Sequence, residues 1–215
     1  MKISLQATAQ QPQQQIEAKA ILFDLDGTLV TSTGGIESIL SHWATEQNLV
    51  VQEVLDYCHG KRTIDIVRHF IADECVEQNY QALTAQFVDA SADTTAIQGS
   101  LNFLELLNQH QIPWAVVSSS ERVLIEARLK AAGLPLPKLM VSAEDVEKGK
   151  PDPTGYLLGA KLLNTDIADC LVFEDAPSGI LAAQRAGAQL ITIGCAEQPV
   201  SALHIAHYGQ INLII

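Results

Sequence analysis

Two aspartates, Asp24 and Asp26, stand two residues apart in Asp24-Leu25-Asp26-Gly27-Thr28, directly after the apolar run Ile21-Leu22-Phe23. One carboxylate of such a pair can attack phosphorus and hold the phosphoryl group. The other can protonate the departing oxygen and later take a proton from water. Three further polar sets follow apolar runs in the same manner. Ser118-Ser119-Ser120 follows Trp114-Ala115-Val116-Val117, Lys148-Gly149-Lys150-Pro151 lies past Leu139-Met140-Val141, and Glu174-Asp175 follows Cys170-Leu171-Val172-Phe173. Asp24, Asp26, Glu174 and Asp175 gathered together would repel one another and any phosphate. A hard divalent cation with oxygen ligands, Mg²⁺, removes that repulsion. Lys150 adds a fixed positive charge and Ser118 a hydroxyl donor. Phosphoryl transfer asks mainly for positioning and charge neutralisation, and this set supplies both.

These groups are far apart in the chain, so the fold must bring them together. Continuous apolar runs of about four residues fit strands buried on both faces of a parallel sheet. The runs Leu190-Ile191-Thr192-Ile193 and Ile211-Asn212-Leu213-Ile214 extend the series. Helical patterns separate the runs: residues 100–110 with Leu101, Leu104 and Leu107 on one face, residues 121–132 with Val123, Leu124, Ala127 and Leu129, then 153–163 and 178–187. Gly133 ends the second of these. Strand–helix alternation predicts a doubly wound parallel sheet, a Rossmann-like α/β core. Ligands of such a sheet bind beyond the carboxyl ends of its strands, where the polar sets lie. From about residue 34 to about 92 the alternation stops. Ile36, Ile39, Leu40 and Trp43, then Ile64, Val67, Phe70 and Ile71, then Leu83, Phe87 and Val88 recur at helical spacing. The organisation expected is a catalytic core over 19–32 and 98–215, an all-helical cap over 33–97, and a disordered Gln-rich tail over 1–18.

FDLDGTLV resembles the first motif of the haloacid dehalogenase superfamily, VVSSS its second, GKPDP its third and VFEDAPSGI its fourth, all in the expected order. The helical insert resembles the small cap of subfamily one. His59-Gly60-Lys61-Arg62, Arg68-His69-Phe70 and Ala132-Gly133-Leu134-Pro135 are similar to the hexitol and sugar phosphatases within it. The resemblance implies roles. Asp24 is the nucleophile and a metal ligand. Asp26 is the general acid and base, and its backbone carbonyl also binds metal. Asp175 is a metal ligand and Glu174 holds metal-bound water. Ser118 and Lys150 grip the phosphate with Ser119 beside them, and Lys61 and Arg62 read the sugar end from the cap loop. Thr31 and Gln98 stand where relatives usually carry Asp and Pro, which bears on the two hinges. The expected activity is hydrolysis of a sugar or sugar-alcohol phosphate through an aspartyl-phosphate. A phosphomutase of the β-phosphoglucomutase type, a phosphonatase using a cap lysine such as Lys61, and a binding module without turnover remain alternatives.

The acidic balance of the chain would repel a phosphorylated substrate, which therefore needs a local positive site. There are 25 Asp and Glu against 13 Lys and Arg, a formal net charge of −12. Nucleic acid and anionic membranes need clustered basic residues, so neither is an expected partner. The four cysteines form no CxxC pair and are expected as reduced thiols. The first residues carry no apolar h-region, so a cytoplasmic protein is expected, and a capped enzyme with a polar cleft is expected as a monomer. His204 and His207 fall at i, i+3 and suggest a partly exposed helix face, since no third metal ligand is near.

Overall fold

The computed structural model describes residues 1–5, 14–194 and 203–214. In chain order it contains β1 (Lys2–Leu5), β2 (Gln14–Glu17), β3 (Ala20–Phe23), β4 (Val30–Thr31), α1 (Thr33–Glu46), α2 (Val51–Cys58), α3 (Thr63–Phe70) and α4 (Val76–Ala90). There follow β5 (Thr95–Ala96), α5 (Ser100–Gln109), β6 (Trp114–Val117), α6 (Arg122–Ala131), β7 (Met140–Val141), α7 (Thr154–Leu162), β8 (Cys170–Glu174), α8 (Pro177–Ala186), β9 (Gln189–Ile193), β10 (Leu203–Ile205) and β11 (Ile211–Ile214).

The apolar runs become inner strands because no residue in them tolerates a wet face. β3, β6 and β8 are buried at every position. They belong to a six-stranded sheet of order β10-β9-β8-β3-β6-β7, with every neighbouring pair parallel. Alternate side chains feed two apolar layers. Phe23, Val116, Phe173 and Ile191 meet Phe103, Leu107, Ile125 and Leu129 from α5 and α6 on one face. Leu22, Ala115 and Val172 meet Tyr156, Ala160, Ala182 and Ala183 from α7 and α8 on the other. The sheet is therefore doubly wound, as the alternation implied.

Helices α1 to α4 pack around Leu40, Trp43, Val54, Val67, Leu83 and Phe87. Leu124 of α6 joins that cluster, so the helical unit rests on the sheet unit through an apolar contact. The two chain crossings lie side by side: β4 and β5 pair antiparallel, Val30 opposite Ala96 and Thr31 opposite Thr95.

Several expectations are corrected. The N-terminal segment is not a disordered tail where it is described, since β1 and β2 form a three-stranded antiparallel sheet with β11. Ile3 pairs with Ile16 and with Leu213 and is fully buried against the first apolar layer. Two apolar residues in β1, Ile3 and Leu5, and one in β2, Ile16, were too weak a signal to read. β11 is not a strand of the parallel sheet; its burial alternates between half-buried and exposed, as in a strand wet on one side. His204 lies in β10, not on a helix, and Ile205 beside it is buried opposite Ile193. Leu101 and Val123 are exposed, whereas Phe103, Ile125 and Arg128 take the buried positions of α5 and α6. Cys58, Cys75 and Cys170 are free thiols; Cys195 lies outside the described residues.

Candidate active site

Strand register sets the centre of the site. Phe23 of β3 is paired with Phe173 of β8, and their rings stack with centroids 5.2 Å apart. Asp24, the first residue past β3, therefore stands beside Glu174, the last of β8, and Asp175 follows. One oxygen from each of Asp24, Glu174 and Asp175 lies within 4.8 Å of the others. Lys150 reaches this group from the loop before α7. Its ammonium donates to Asp24 Oδ1 at 2.5 Å and to Glu174 Oε1 at 2.6 Å.

Burial makes the charges interact strongly. Asp24 and Lys150 are each 7% exposed and Glu174 is fully buried. Burial pushes the Asp24 carboxyl well above its usual range; Lys150 opposes this, and Glu174 and Asp175 add to it. Burial and then the neighbouring Glu174 raise Asp175 to about 7. Burial works against the Lys150 charge, yet Asp24 and Glu174 outweigh it and hold the ammonium firmly protonated. Three carboxylates thus share one cation, and further positive charge would relieve them.

The two adjacent acids differ in what they hold. Glu174 Oε1 accepts from Lys150 and from Tyr156 Oη at 2.9 Å, and Oε2 accepts from the Asp175 and Ala176 N–H groups, both at 2.9 Å. Asp175 Oδ1 accepts from Thr28 Oγ1 at 3.2 Å. Gly27 lets Asp175 come close: its φ is +86°, and a Cβ there would lie 2.0 Å from Asp175 Oδ2. An all-oxygen set of crowded, buried carboxylates fits Mg²⁺ chemically. Asp24 and Asp175 are the better direct ligands, because the Glu174 oxygens are engaged by four donors.

Residues 21–193 match the haloacid dehalogenase-like hydrolase family. The chain belongs to that family. It is 41% identical over 181 residues to hexitol phosphatase A of Escherichia coli (strain K12), covering 83% of this chain and 84% of that one. It is 34% identical to 2-deoxyglucose-6-phosphate phosphatase 1 of Saccharomyces cerevisiae, over 84% and 80% of the two chains. A hydrolase from Pseudomonas syringae superposes with a TM-score of 0.77 at 25% identity, over 86% of this chain and 92% of that one. A β-phosphoglucomutase from Clostridium difficile gives 0.81 at 19% identity, over 90% and 92%, a likeness of fold alone.

The chain carries its polar groups on strand ends. A cavity of about 90 Å³ opens above them and is lined by Asp24, Asp26, Ser118, Ser119, Lys61 and Asp175 among others. The loop joining α2 to α3 roofs it and is tied to the sheet unit. Ser119 Oγ donates to the Gly60 carbonyl at 2.8 Å and Ser178 Oγ to the His59 carbonyl at 3.0 Å. Lys61 Nζ lies 3.5 Å from the Lys150 carbonyl and 5.4 Å from the centre of the Tyr57 ring. Ser118 is buried, and its Oγ accepts from the Ser120 N–H at 3.1 Å.

Arg62 departs from the expectation that it reads substrate. It forms a fork with both Asp65 oxygens at 2.6 and 2.7 Å. The same guanidinium donates to the Val146 and Glu147 carbonyls at 2.8 and 3.0 Å. It does not line the cavity that Lys61 lines; it fastens the roof loop to the sheet unit. Three residues near the site escaped sequence reasoning: Arg128, Tyr156 and Ser32. Arg128 had a readable signal, since it follows Leu124 by four and Ile125 by three on the apolar face of α6. Tyr156 and Ser32 carried no such signal. Ser32 makes no cap bond, and its hydroxyl donates to Asp26 instead.

Proposed function

We propose that this protein is a Mg²⁺-dependent phosphatase of sugar or sugar-alcohol phosphates. The observation behind this reading is the Asp24–Lys150–Asp175 constellation at the floor of a roofed cavity. The similarity to the two phosphatases named above supports the substrate class.

In this mechanism an Asp24 oxygen attacks phosphorus as the ester oxygen leaves, giving an aspartyl-phosphate. Asp26 gives its proton to the departing alkoxide and then takes one from the water that opens the acyl-phosphate. Lys150 and Ser118 hold phosphate oxygens, with Ser119 beside them. Asp24, Asp175 and the Asp26 carbonyl would hold Mg²⁺, with Glu174 behind them. The bound ion supplies charge neutralisation for the phosphate and the carboxylates. Lys61 faces the part of the substrate beyond the phosphate. The roof loop excludes water that would weaken these charge contacts.

The test is a phosphate-release screen over hexose, hexitol, pentose and triose phosphates, with Mg²⁺ or with EDTA. Mg²⁺-dependent release from a hexose or hexitol phosphate is expected. Conversion of glucose 1-phosphate to the 6-phosphate without release would replace the phosphatase by a mutase. Undiminished release in EDTA would remove the metal.

A further inference from the structure

Asp26 is gripped from the sheet unit and from the linker into the cap. Arg128 Nη1 donates to Asp26 Oδ2 at 2.6 Å, and Ser120 Oγ donates to the same oxygen at 3.0 Å. Arg128 Nη1 also reaches Ser120 Oγ at 2.8 Å. The other oxygen, Oδ1, accepts from Ser32 Oγ on the linker into the cap. Arg128 is 3% exposed and lies among Leu124, Ile125 and Leu129 on α6. Burying a guanidinium on such a face is costly unless a carboxylate meets it. Leucine or methionine would pack there without that cost. The side chain also stands between two spaces. It borders the cavity above Asp24. It also borders a second cavity of about 240 Å³, lined by Thr31, Ser32, Thr94 and Thr95 of the two linkers.

We propose, building on the phosphatase reading, that Arg128 is a positioning residue for the proton-transferring Asp26. Its hydrogen bond, with that of Ser120, holds Asp26 Oδ2 and fixes the carboxylate in one orientation at the cavity rim. The step it serves is the first one. The Asp24 oxygen–phosphorus bond forms, the phosphorus–ester oxygen bond breaks, and the Asp26 proton passes to that oxygen. An alkoxide leaving group needs this proton, whereas a nitrophenolate leaves without one. Positioning of Asp26 therefore matters for a sugar phosphate and little for p-nitrophenyl phosphate.

The experiment compares kcat/KM of the full chain for both substrates, since kcat/KM covers events up to departure of the leaving group. For Arg128→Gln a loss of roughly 10- to 100-fold is expected on the sugar phosphate, below the range for removing a general acid altogether. On p-nitrophenyl phosphate the loss stays below about threefold, and Arg128→Lys recovers part of the sugar-phosphate rate. Equal losses on both substrates, or a rise in KM on both, would overturn the assignment and make Arg128 a structural or phosphate-binding residue. Where circular dichroism shows Arg128→Gln unfolded, Ser120→Ala provides the same contrast, with a loss of roughly threefold or more on the sugar phosphate alone. Failure of the unmutated protein to release phosphate from either substrate would instead overturn the phosphatase reading, and this assignment with it.

Discussion

Raising the pH should weaken the metal-free protein, and Mg²⁺ should reverse the loss. The Asp175 carboxyl is raised from 3.8 to about 7 by burial and then by Glu174. Below the lower value both folded and unfolded chains keep the proton, and nothing is lost. Between the two values the unfolded chain has released its proton while the folded chain retains it, so stability falls as pH rises. Above about 7 the whole cost is present. About three pH units at 1.36 kcal/mol each make about 4 kcal/mol. Asp24 is pushed in the same direction and shares the sign. A cation at a hundredfold its Kd restores about 2.7 kcal/mol. It does so chiefly where the carboxyls are ionised, because protons compete with it at lower pH. The assay is thermal melting of EDTA-treated protein at about pH 5 and about pH 8, with and without excess Mg²⁺, for wild type and Asp175→Asn. Wild-type Tm should rise by roughly 5–10 °C with Mg²⁺ at the higher pH and by little at the lower. The variant should show a flatter metal-free profile and no Mg²⁺ response, and its difference from wild type isolates this carboxyl from other titrating groups. A Mg²⁺ shift equal at both pH values, or parallel profiles for the two proteins, would refute the reasoning.

Three further outcomes are expected. Asp24→Asn should lower phosphate release by more than about a thousandfold while circular dichroism stays native, and wild-type turnover would remove Asp24 as the nucleophile. Arg62→Ala should lower stability in urea by about 2–4 kcal/mol, because it strands Asp65 and the Val146 and Glu147 carbonyls, while turnover at saturating substrate persists. A raised KM with unchanged urea midpoint would restore Arg62 as a substrate reader. Ile3→Ala should cost about 2–5 kcal/mol in the same assay, as for a fully buried core residue, whereas a disordered tail would show no change.

The parts of the fold legible in the sequence were those whose signal is local and repeated. Four buried residues in a row at β3, β6 and β8 have one physical solution, a strand covered on both faces, and the polar residues after them then share one rim. What was not legible depended on pairing across the chain. β1 and β11 are short and stand at opposite ends of the chain, and each finds its pairing in the other. The Arg62 guanidinium faces carbonyls 84 and 85 residues away, so its own neighbours could not reveal them. Arg128 was legible in principle: a charge four residues from Leu124 on a buried face asks for a carboxylate partner. Which carboxylate it meets depends on how α6 lies against the end of β3, and that is a tertiary fact.

The fourth motif shows how far a string can be taken into physics once register is known. In Glu174-Asp175-Ala176-Pro177-Ser178-Gly179, the first acid is consumed internally by Lys150, Tyr156 and two peptide N–H groups. That frees the second acid to face the cavity beside Asp24. Ser178 ties the roof loop through the His59 carbonyl. Gly179 has no alternative, because a Cβ would sit 1.5 Å from Glu174 Oε1. Two adjacent carboxylates therefore serve opposite ends: one fixes the Lys150 ammonium, and the other faces the cavity beside Asp24. A site built this way favours a cation before any substrate arrives, because burial and repulsion have already raised the energy of its empty, ionised state.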